Sequence, residues 1–209
     1  MPDNATTWKL IHAERQHLVD TLEGLSPEQW ATPSLCAGWS VQDTAGHVLA
    51  GAEQTPLGFL SGLATSGFRF NALMQRDVQR LGALAPNELV DRLRARTTTT
   101  NHPPAPVGAM LGEIVVHGED IRRPLGLHAE IATDATVGCL ELYKGANFPV
   151  GAKKRIAGLR LVATDVAWSH GSGPEVTGPA LSLVMVMAGR AAGLKELTGD
   201  GVAVLGSRL

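Results

Sequence analysis

Apolar residues at helical spacing, interrupted by capping and proline signals, most constrain the fold of this 209-residue chain. The first such stretch places its apolar side chains three, four or seven positions apart: Trp8, Ile11, Leu18 and Leu22. This spacing predicts an amphipathic helix over residues 4–24. Ser26, Pro27 and Gln29 then form a capping-box pattern, which indicates the start of a short helical connector.

Three further stretches carry helix start and stop signals. Ser40 can cap a helix over residues 41–62. Helical spacing on both sides of Pro86 predicts two helices joined at that proline, because proline disrupts a continuous helix. Residues 107–123 predict a long helix that Pro124 would end. The N-terminal part of the chain is therefore predicted to be a set of packed helices.

The pattern changes after Gly151. Apolar residues then fall at every second position, a period typical of a strand over residues 159–168. We expect residues 1–150 to form a helical bundle and residues 151–209 to form a small α+β domain. The chain as a whole is predicted to be α+β and mainly α.

The composition excludes several classes of protein. Apolar side chains make up 44% of the chain and charged ones 18%, which suits a globular domain with a full core. The chain has 18 basic and 20 acidic residues. It contains no run of basic residues of the kind that is typical of nucleic-acid-binding proteins. Cys36 and Cys139 fit neither a disulfide framework nor a CxxC metal site. These features predict a protein of a reducing compartment without nucleic-acid partners.

Signals of export and membrane insertion are also missing from the sequence. The N-terminus, Met1-Pro2-Asp3-Asn4, lacks the basic-then-apolar order of a signal peptide. The longest apolar run, residues 180–189, is far shorter than the roughly 20 residues that cross a bilayer. We therefore expect a cytoplasmic protein without membrane partners.

Glu113 and His117 lie four residues apart in the stretch Glu113-Ile114-Val115-Val116-His117. A helix turns by roughly 400° over four residues, so both side chains project from one face and could share an ion. Asp120 could fix the tautomer of His117 by accepting a hydrogen bond from its second nitrogen. Such pairs also occur on solvated helices. The apolar residues between them favour a packed helix, where an unpaired charge is costly, and so favour a metal site.

His47 is the third candidate metal ligand. It lies on the helix predicted after Ser40, and the residues one turn away, Thr44 and Gly51, are small enough to leave space for an ion. The alternative is a core histidine bonded to a carbonyl or hydroxyl. Two histidines and one carboxylate suit zinc, and three protein ligands leave one coordination position open for water or substrate.

Two separated segments resemble a known family. They are Gly38-Trp39-Ser40-Val41-Gln42-Asp43-Thr44-Ala45-Gly46-His47-Val48 and Glu113-Ile114-Val115-Val116-His117-Gly118-Glu119-Asp120. Both resemble the N-terminal domain of the mycothiol-dependent maleylpyruvate isomerase family, within the DinB-like group of metal-binding bundles. The resemblance implies a four-helix bundle with a zinc held by His47, Glu113 and His117.

The C-terminal part carries a second likeness. Leu161-Val162-Ala163-Thr164-Asp165, Gly178-Pro179-Ala180 and Ala188-Gly189-Arg190 resemble the small domain that follows this bundle in the family. By that likeness, Arg190 would bind an anionic substrate. The alternative is an arginine that caps the C-terminal end of a helix.

The resemblance implies an enzyme that uses mycothiol, a small thiol, as cosubstrate. A metal ion lowers the pKa of a bound thiol, and the thiolate can then attack a small electrophilic or anionic substrate. The residues leave cis–trans isomerisation and S-transfer equally open. A second hypothesis is a non-catalytic ligand-binding or regulatory module with a structural metal. Cys36 is expected to be a small buried thiol, because no base lies at motif spacing from it.

Overall fold

Helices dominate the structure, a computed structural model that describes residues 3–209. The helices and strands are α1 (Asn4–Glu23), α2 (Pro27–Trp30), α3 (Val41–Glu53), α4 (Pro56–Thr65), α5 (Phe70–Gly82), α6 (Pro86–Arg94), α7 (Val107–Arg122), α8 (Thr133–Tyr143), α9 (Ala152–Arg155), β1 (Arg160–Ala163), β2 (Ser169–Gly171), β3 (Glu175–Gly178), α10 (Ala180–Met187) and α11 (Val202–Gly206). Short 3₁₀ turns cover Arg123–Leu125 and Ala191–Glu196. The predicted mainly-α class with a small β part is confirmed.

The chain divides into two compact units. The N-terminal unit is Asn4–Glu130 and the C-terminal unit is Ile131–Leu209. The division falls earlier than the boundary near residue 150 that the sequence pattern suggests. It does so because α8 packs against α10, which lies within the C-terminal unit.

Helices α1, α3, α5 and α7 form the bundle of the N-terminal unit. α1 packs on α7, and α3 packs on both α5 and α7, while α6 covers α1 and α3. The apolar residues of α1 are buried as their spacing predicts, with Ile11 and Leu18 almost fully inaccessible. Each such side chain contributes about 1.5–3 kcal/mol through burial, so this stripe fixes α1 against the rest of the bundle.

A glycine pair allows α3 and α5 to approach closely. A Cβ built on Gly46 would lie 2.7 Å from the backbone nitrogen of Gly82, so the two helices touch through their backbones. Gln42 of α3 donates hydrogen bonds to the carbonyls of Gly82 and Leu84 at the end of α5. This contact sets the position of α3, which carries His47.

The predicted helix over residues 41–62 is interrupted. α3 ends at Glu53, and a new helix, α4, begins at Pro56. Proline lacks an N–H and disfavours the helical conformation of the residue before it, so the chain turns at Thr55. The Thr55 hydroxyl accepts a hydrogen bond from the Gly58 amide and caps α4. His47 lies well before this break, on the regular part of α3.

A three-stranded sheet lies in the C-terminal unit in the order β2-β1-β3. β1 pairs antiparallel with β2 and parallel with β3, and Leu161 lies opposite His170 and Val176. The strand predicted over residues 159–168 is shorter in the structure, where β1 covers only Arg160–Ala163. Asp165 instead accepts a hydrogen bond from the Ala180 amide at the start of α10. Within residues 3–209, no helix combines the length and the apolar character that crossing a bilayer requires.

Candidate metal centre

The start of α3 positions His47 through a local cap. The Ser40 hydroxyl accepts a hydrogen bond from the Asp43 amide at 3.1 Å, and the Asp43 carboxylate accepts one from the Ser40 amide at 2.9 Å. This reciprocal cap fixes the first turn of the helix. His47 follows on the second turn, is 8% exposed, and has its ring 5.1 Å from that of Trp39. The cap that the sequence predicts thus anchors the helix that carries the first candidate ligand.

Glu113, His117 and Asp120 lie on successive turns of α7. The residues between the first two, Ile114, Val115 and Val116, are at most 3% exposed, as expected for a helix packed around much of its circumference. His117 Nδ1 lies 2.9 Å from Asp120 Oδ2, which is fully buried. The contact predicted between these two side chains is therefore present. It commits Nδ1 to the carboxylate, so that Nε2 is the nitrogen that could bind a metal ion.

The two helices bring the three predicted ligands near one another, although within residues 3–209 their ligand-type atoms do not all lie within 4.8 Å of one another. His47 Nε2 lies 4.0 Å from Glu113 Oε1, and the rings of His47 and His117 meet edge to face with centroids 4.7 Å apart. Gly51 makes room for the carboxylate, because a Cβ at this position would overlap Glu113 Oε1. Two imidazoles and a carboxylate in a mostly buried space have the donor chemistry of a zinc site. The residues present therefore fit the metal ion that the resemblance implies.

Without a bound cation, the surroundings of Glu113 and His117 raise the pKa values of both groups and so favour their protonated forms. Burial raises the pKa of the Glu113 carboxyl, while the charges of His117 and Arg15 act in the opposite direction. Burial lowers the pKa of His117, but hydrogen bonds to Asp120 and Cys36 outweigh it and raise the value to about 9. A divalent cation would supply the positive charge that these protons otherwise supply, so metal binding would compete with proton binding here.

Arg15 of α1 is a neighbour of the centre that sequence reasoning missed. It lines a small cavity together with Glu113 and Gly51, and it is 6% exposed. Its Nη1 donates to the carbonyls of Arg96 at 3.2 Å and Thr99 at 2.8 Å. The only sequence signal is its place among the charged residues of an amphipathic helix, which does not distinguish it from surface residues.

Cys36 also lies at the centre, contrary to the expectation of an isolated, buried thiol. Its Sγ is 3.1 Å from Asp120 Oδ2 and 3.6 Å from His117 Nδ1, and the residue is half-buried. Among residues 3–209, these three side chains form a group whose ligand-type atoms all lie within 4.8 Å of one another. The expectation was wrong because the acid and the base come from α7, far away in sequence.

Arg190 belongs to the C-terminal unit and follows the end of α10. Its Nη1 donates to the Ala188 carbonyl at 2.9 Å, a contact of the helix-capping kind. Arg155 donates to the adjacent Met187 carbonyl at 2.5 Å, and burial together with the Arg190 charge lowers the pKa of Arg155. Two guanidinium groups therefore gather at one helix end. The capping contact leaves the predicted role in substrate binding a prediction.

Part of the bundle matches a known protein family in sequence. Residues 11–105 match the family model described as the mycothiol maleylpyruvate isomerase N-terminal domain. This match includes α3 and His47 and ends just before α7. No curated protein matches the chain in sequence. The match contains the first of the two motifs and ends before the second, and it confirms the resemblance to this family.

Solved structures share the fold over nearly the whole chain. One is a mycothiol-dependent maleylpyruvate isomerase, with a TM-score of 0.68, and another is a histidine-to-alanine mutant of such an enzyme, with a TM-score of 0.65. Each is 16% identical to this chain, and each superposition covers 95% of this chain and 93% of the other. At this identity the likeness establishes the fold, including the small β part after the bundle.

Proposed function

We propose that the chain is a metal-dependent enzyme that uses a small thiol, mycothiol, to act on a small electrophilic or anionic substrate. The metal ion would be zinc, held by His47 of α3 and by Glu113 and His117 of α7. The observation that carries the proposal is the convergence of these three side chains, with Gly51 providing the space for the carboxylate.

The comparisons support the same chemistry. The family model that matches part of the bundle describes a mycothiol maleylpyruvate isomerase domain, and the solved structures that share the fold are of mycothiol-dependent maleylpyruvate isomerase. Two imidazoles and one carboxylate would leave a fourth coordination position open to a thiol. Zinc in such a site lowers the pKa of a thiol that enters this position and so favours the thiolate.

The residues of the chain have distinct tasks in this scheme. Asp120 accepts a hydrogen bond from His117 Nδ1–H and would thereby fix the tautomer that leaves Nε2 as a ligand. Glu113 would balance part of the positive charge of the ion from a partly buried position. The apolar neighbours on α7 restrict water, which strengthens these electrostatic interactions. The chain therefore holds the ligand set in a fixed protonation state before substrate arrives.

Arg190 would bind a carboxylate of the substrate. A guanidinium forms two parallel hydrogen bonds with a carboxylate, and the match of this residue to the family's C-terminal segment supports the assignment. For maleylpyruvate, the thiolate would add reversibly to the activated double bond, and loss of the thiolate after rotation would give the trans isomer. Isomerisation is therefore the first reaction to assay, with S-transfer as the second.

Calorimetry with mycothiol tests the proposal. Zinc-loaded protein is expected to bind mycothiol and to release close to one proton per site at a pH below the pKa of the free thiol. Titrations in buffers of different ionisation enthalpy measure affinity and proton release together. Chelator-treated protein, as the matched control, is expected to show neither effect.

The calorimetric outcome also decides between an enzyme and a binding module. Proton-releasing thiol binding would make turnover of maleylpyruvate, or of another activated alkene, the next measurement. Zinc-loaded protein that binds no thiol would contradict the enzymatic proposal. It would support the hypothesis of a non-catalytic module with a structural metal.

A further inference from the structure

Cys36 is connected to both helices of the metal centre by a chain of short contacts. The Thr44 hydroxyl on α3 donates to the Ser34 hydroxyl at 2.8 Å, and the Cys36 amide donates to the same Ser34 oxygen at 3.1 Å. The neighbouring Leu35 amide donates to the Asp120 carbonyl of α7 at 3.1 Å. The backbone around Cys36 is therefore held between the helix of His47 and the helix of His117.

The thiol of Cys36 and the ring of His117 share one hydrogen-bond acceptor, Asp120 Oδ2. It donates to Asp120 Oδ2 at 3.1 Å, and the same oxygen accepts from His117 Nδ1 at 2.9 Å. Asp120 is 0% exposed, so its carboxylate depends on protein donors to offset the loss of water. Removing a donor from a buried carboxylate frees it to shift, and a shift of Oδ2 would change the orientation of the imidazole.

We infer that Cys36 is a positioning residue of the metal centre, which fixes Asp120 so that Asp120 fixes the ligand His117. This inference rests on the proposed function, since it requires that His117 ligates the metal. Cys36 acts here by hydrogen bonding through Asp120 and does not contact the metal. Its sulfur lies on the Nδ1 side of the His117 ring, whereas Nε2 is the nitrogen assigned to the ion.

Zinc affinity of a set of variants, measured by competition with a chromogenic chelator, tests the inference. Cys36→Ala is expected to weaken zinc binding about three- to tenfold, the equivalent of one lost hydrogen bond. Cys36→Ser keeps a donor and is expected to stay within about twofold of the wild type. Cys139→Ala removes the other thiol, which lies in the C-terminal unit, and is expected to leave the affinity unchanged.

A double-mutant cycle shows whether Cys36 acts through Asp120. Asp120→Asn is expected to weaken zinc binding about 10- to 100-fold, as loss of a carboxylate partner of a metal-bound histidine does elsewhere. Adding Cys36→Ala to Asp120→Asn is then expected to have no further effect, because the contact that it removes no longer matters. Additive losses would overturn the inference. So would a Cys36→Ala variant that binds zinc as tightly as the wild type.

Two further measurements separate this inference from competing explanations. Cobalt-loaded protein is expected to lack a sulfur-to-cobalt charge-transfer band, and a band that disappears in Cys36→Ser would make Cys36 a ligand and overturn the inference. Melting temperatures of the metal-free variants show whether Cys36→Ala merely loosens the fold. If the stability lost by metal-free Cys36→Ala accounts for its whole loss of zinc affinity, the inference is overturned. If His117→Ala keeps wild-type zinc affinity, the metal assignment itself fails.

Discussion

The metal centre and the arginine pair at the end of α10 stabilise buried or crowded charge in different ways. At the centre, Glu113 and His117 come from regular helix positions, and their pKa values are raised, so both groups favour protonation without a metal. At the end of α10, Arg155 and Arg190 carry like charges and donate to the carbonyls of Met187 and Ala188. In the first region, a bound cation would favour the deprotonated side chains. The second already donates to the carbonyls of the helix terminus, and an anion would have to compete with those carbonyls.

Removing a ligand from the centre should have the largest effect. His47→Ala and His117→Ala are each expected to weaken zinc binding by more than about a hundredfold. Loss of only the hydrogen-bond partner of a ligating histidine already weakens metal affinity about 10- to 100-fold. Metal content after dialysis against a weak chelator measures this loss. His170→Ala, on β2 in the C-terminal unit, is the matched control. Wild-type zinc content in both ligand variants would contradict the assignment.

The pH dependence of stability should differ between the metal-free and zinc-loaded forms. The pKa of His117 is raised from 6.5 to about 9, so protonation of this residue stabilises the metal-free fold fully below about pH 6.5. That contribution, on the order of 3 kcal/mol, is lost as the pH rises from 6.5 to 9. Glu113 changes stability in the same direction, since its pKa is also raised.

Urea unfolding at several pH values tests this difference. The metal-free protein is expected to lose stability across this window, while zinc-loaded protein loses less, because its His117 is already deprotonated. Equal pH profiles for the two forms would show that His117 is not a ligand. A metal-free protein that gains stability with rising pH would contradict the direction of the pKa shift.

Arg15→Met should affect stability more than metal chemistry. The carbonyls of Arg96 and Thr99 would lose their donor, at a cost of about 1–3 kcal/mol in the free energy of unfolding. Lys9→Met removes the same charge from an exposed position of α1 and is expected to change stability by less than about 0.5 kcal/mol. Similar effects of the two variants in chemical denaturation would show that the Arg15 contacts contribute little.

Arg190→Lys should have the smallest effect on the fold. Lysine can still donate to the Ala188 carbonyl, so stability is expected to change by less than about 0.5 kcal/mol. Lysine cannot form the bidentate hydrogen bonds that arginine forms with a carboxylate, so kcat/KM for an anionic substrate is expected to fall about tenfold or more. Arg160→Lys, on β1, is the control, and an unchanged kcat/KM in Arg190→Lys would leave helix capping as the role of Arg190.

Local sequence signals predicted the helix cap and the side-chain spacing around the candidate centre, whereas metal binding there stays a prediction. The Ser40 cap, the four-residue spacing of Glu113 and His117, and the place of Asp120 are properties of single helices, and each appears as the spacing predicts. Cys36 and Arg15 could not be found in this way. Their contacts with α7 join positions about 80 to 100 residues apart, so they follow from the packing of the bundle rather than from any local pattern.

The limits of the helices show the same division between local and tertiary causes. The end of α3 was missed although Pro56 is a local stop signal, because the apolar residues beyond it continue a helical pattern. The earlier boundary between the two units depends on the packing of α8 against α10, which the change of pattern after Gly151 does not report. Helix existence is encoded locally here, whereas membership of a unit is decided by tertiary contacts.

The central claim is that one metal ion binds between His47, Glu113 and His117. Anomalous scattering at the zinc edge from crystals of the zinc-loaded protein tests it most directly. The claim predicts one strong peak about 2.0–2.2 Å from His47 Nε2, His117 Nε2 and a Glu113 oxygen, with a remaining position open. A peak on the opposite side of the His117 ring, bonded to Nδ1, Cys36 Sγ and Asp120, would contradict it, as would crystals with no ordered zinc at either place.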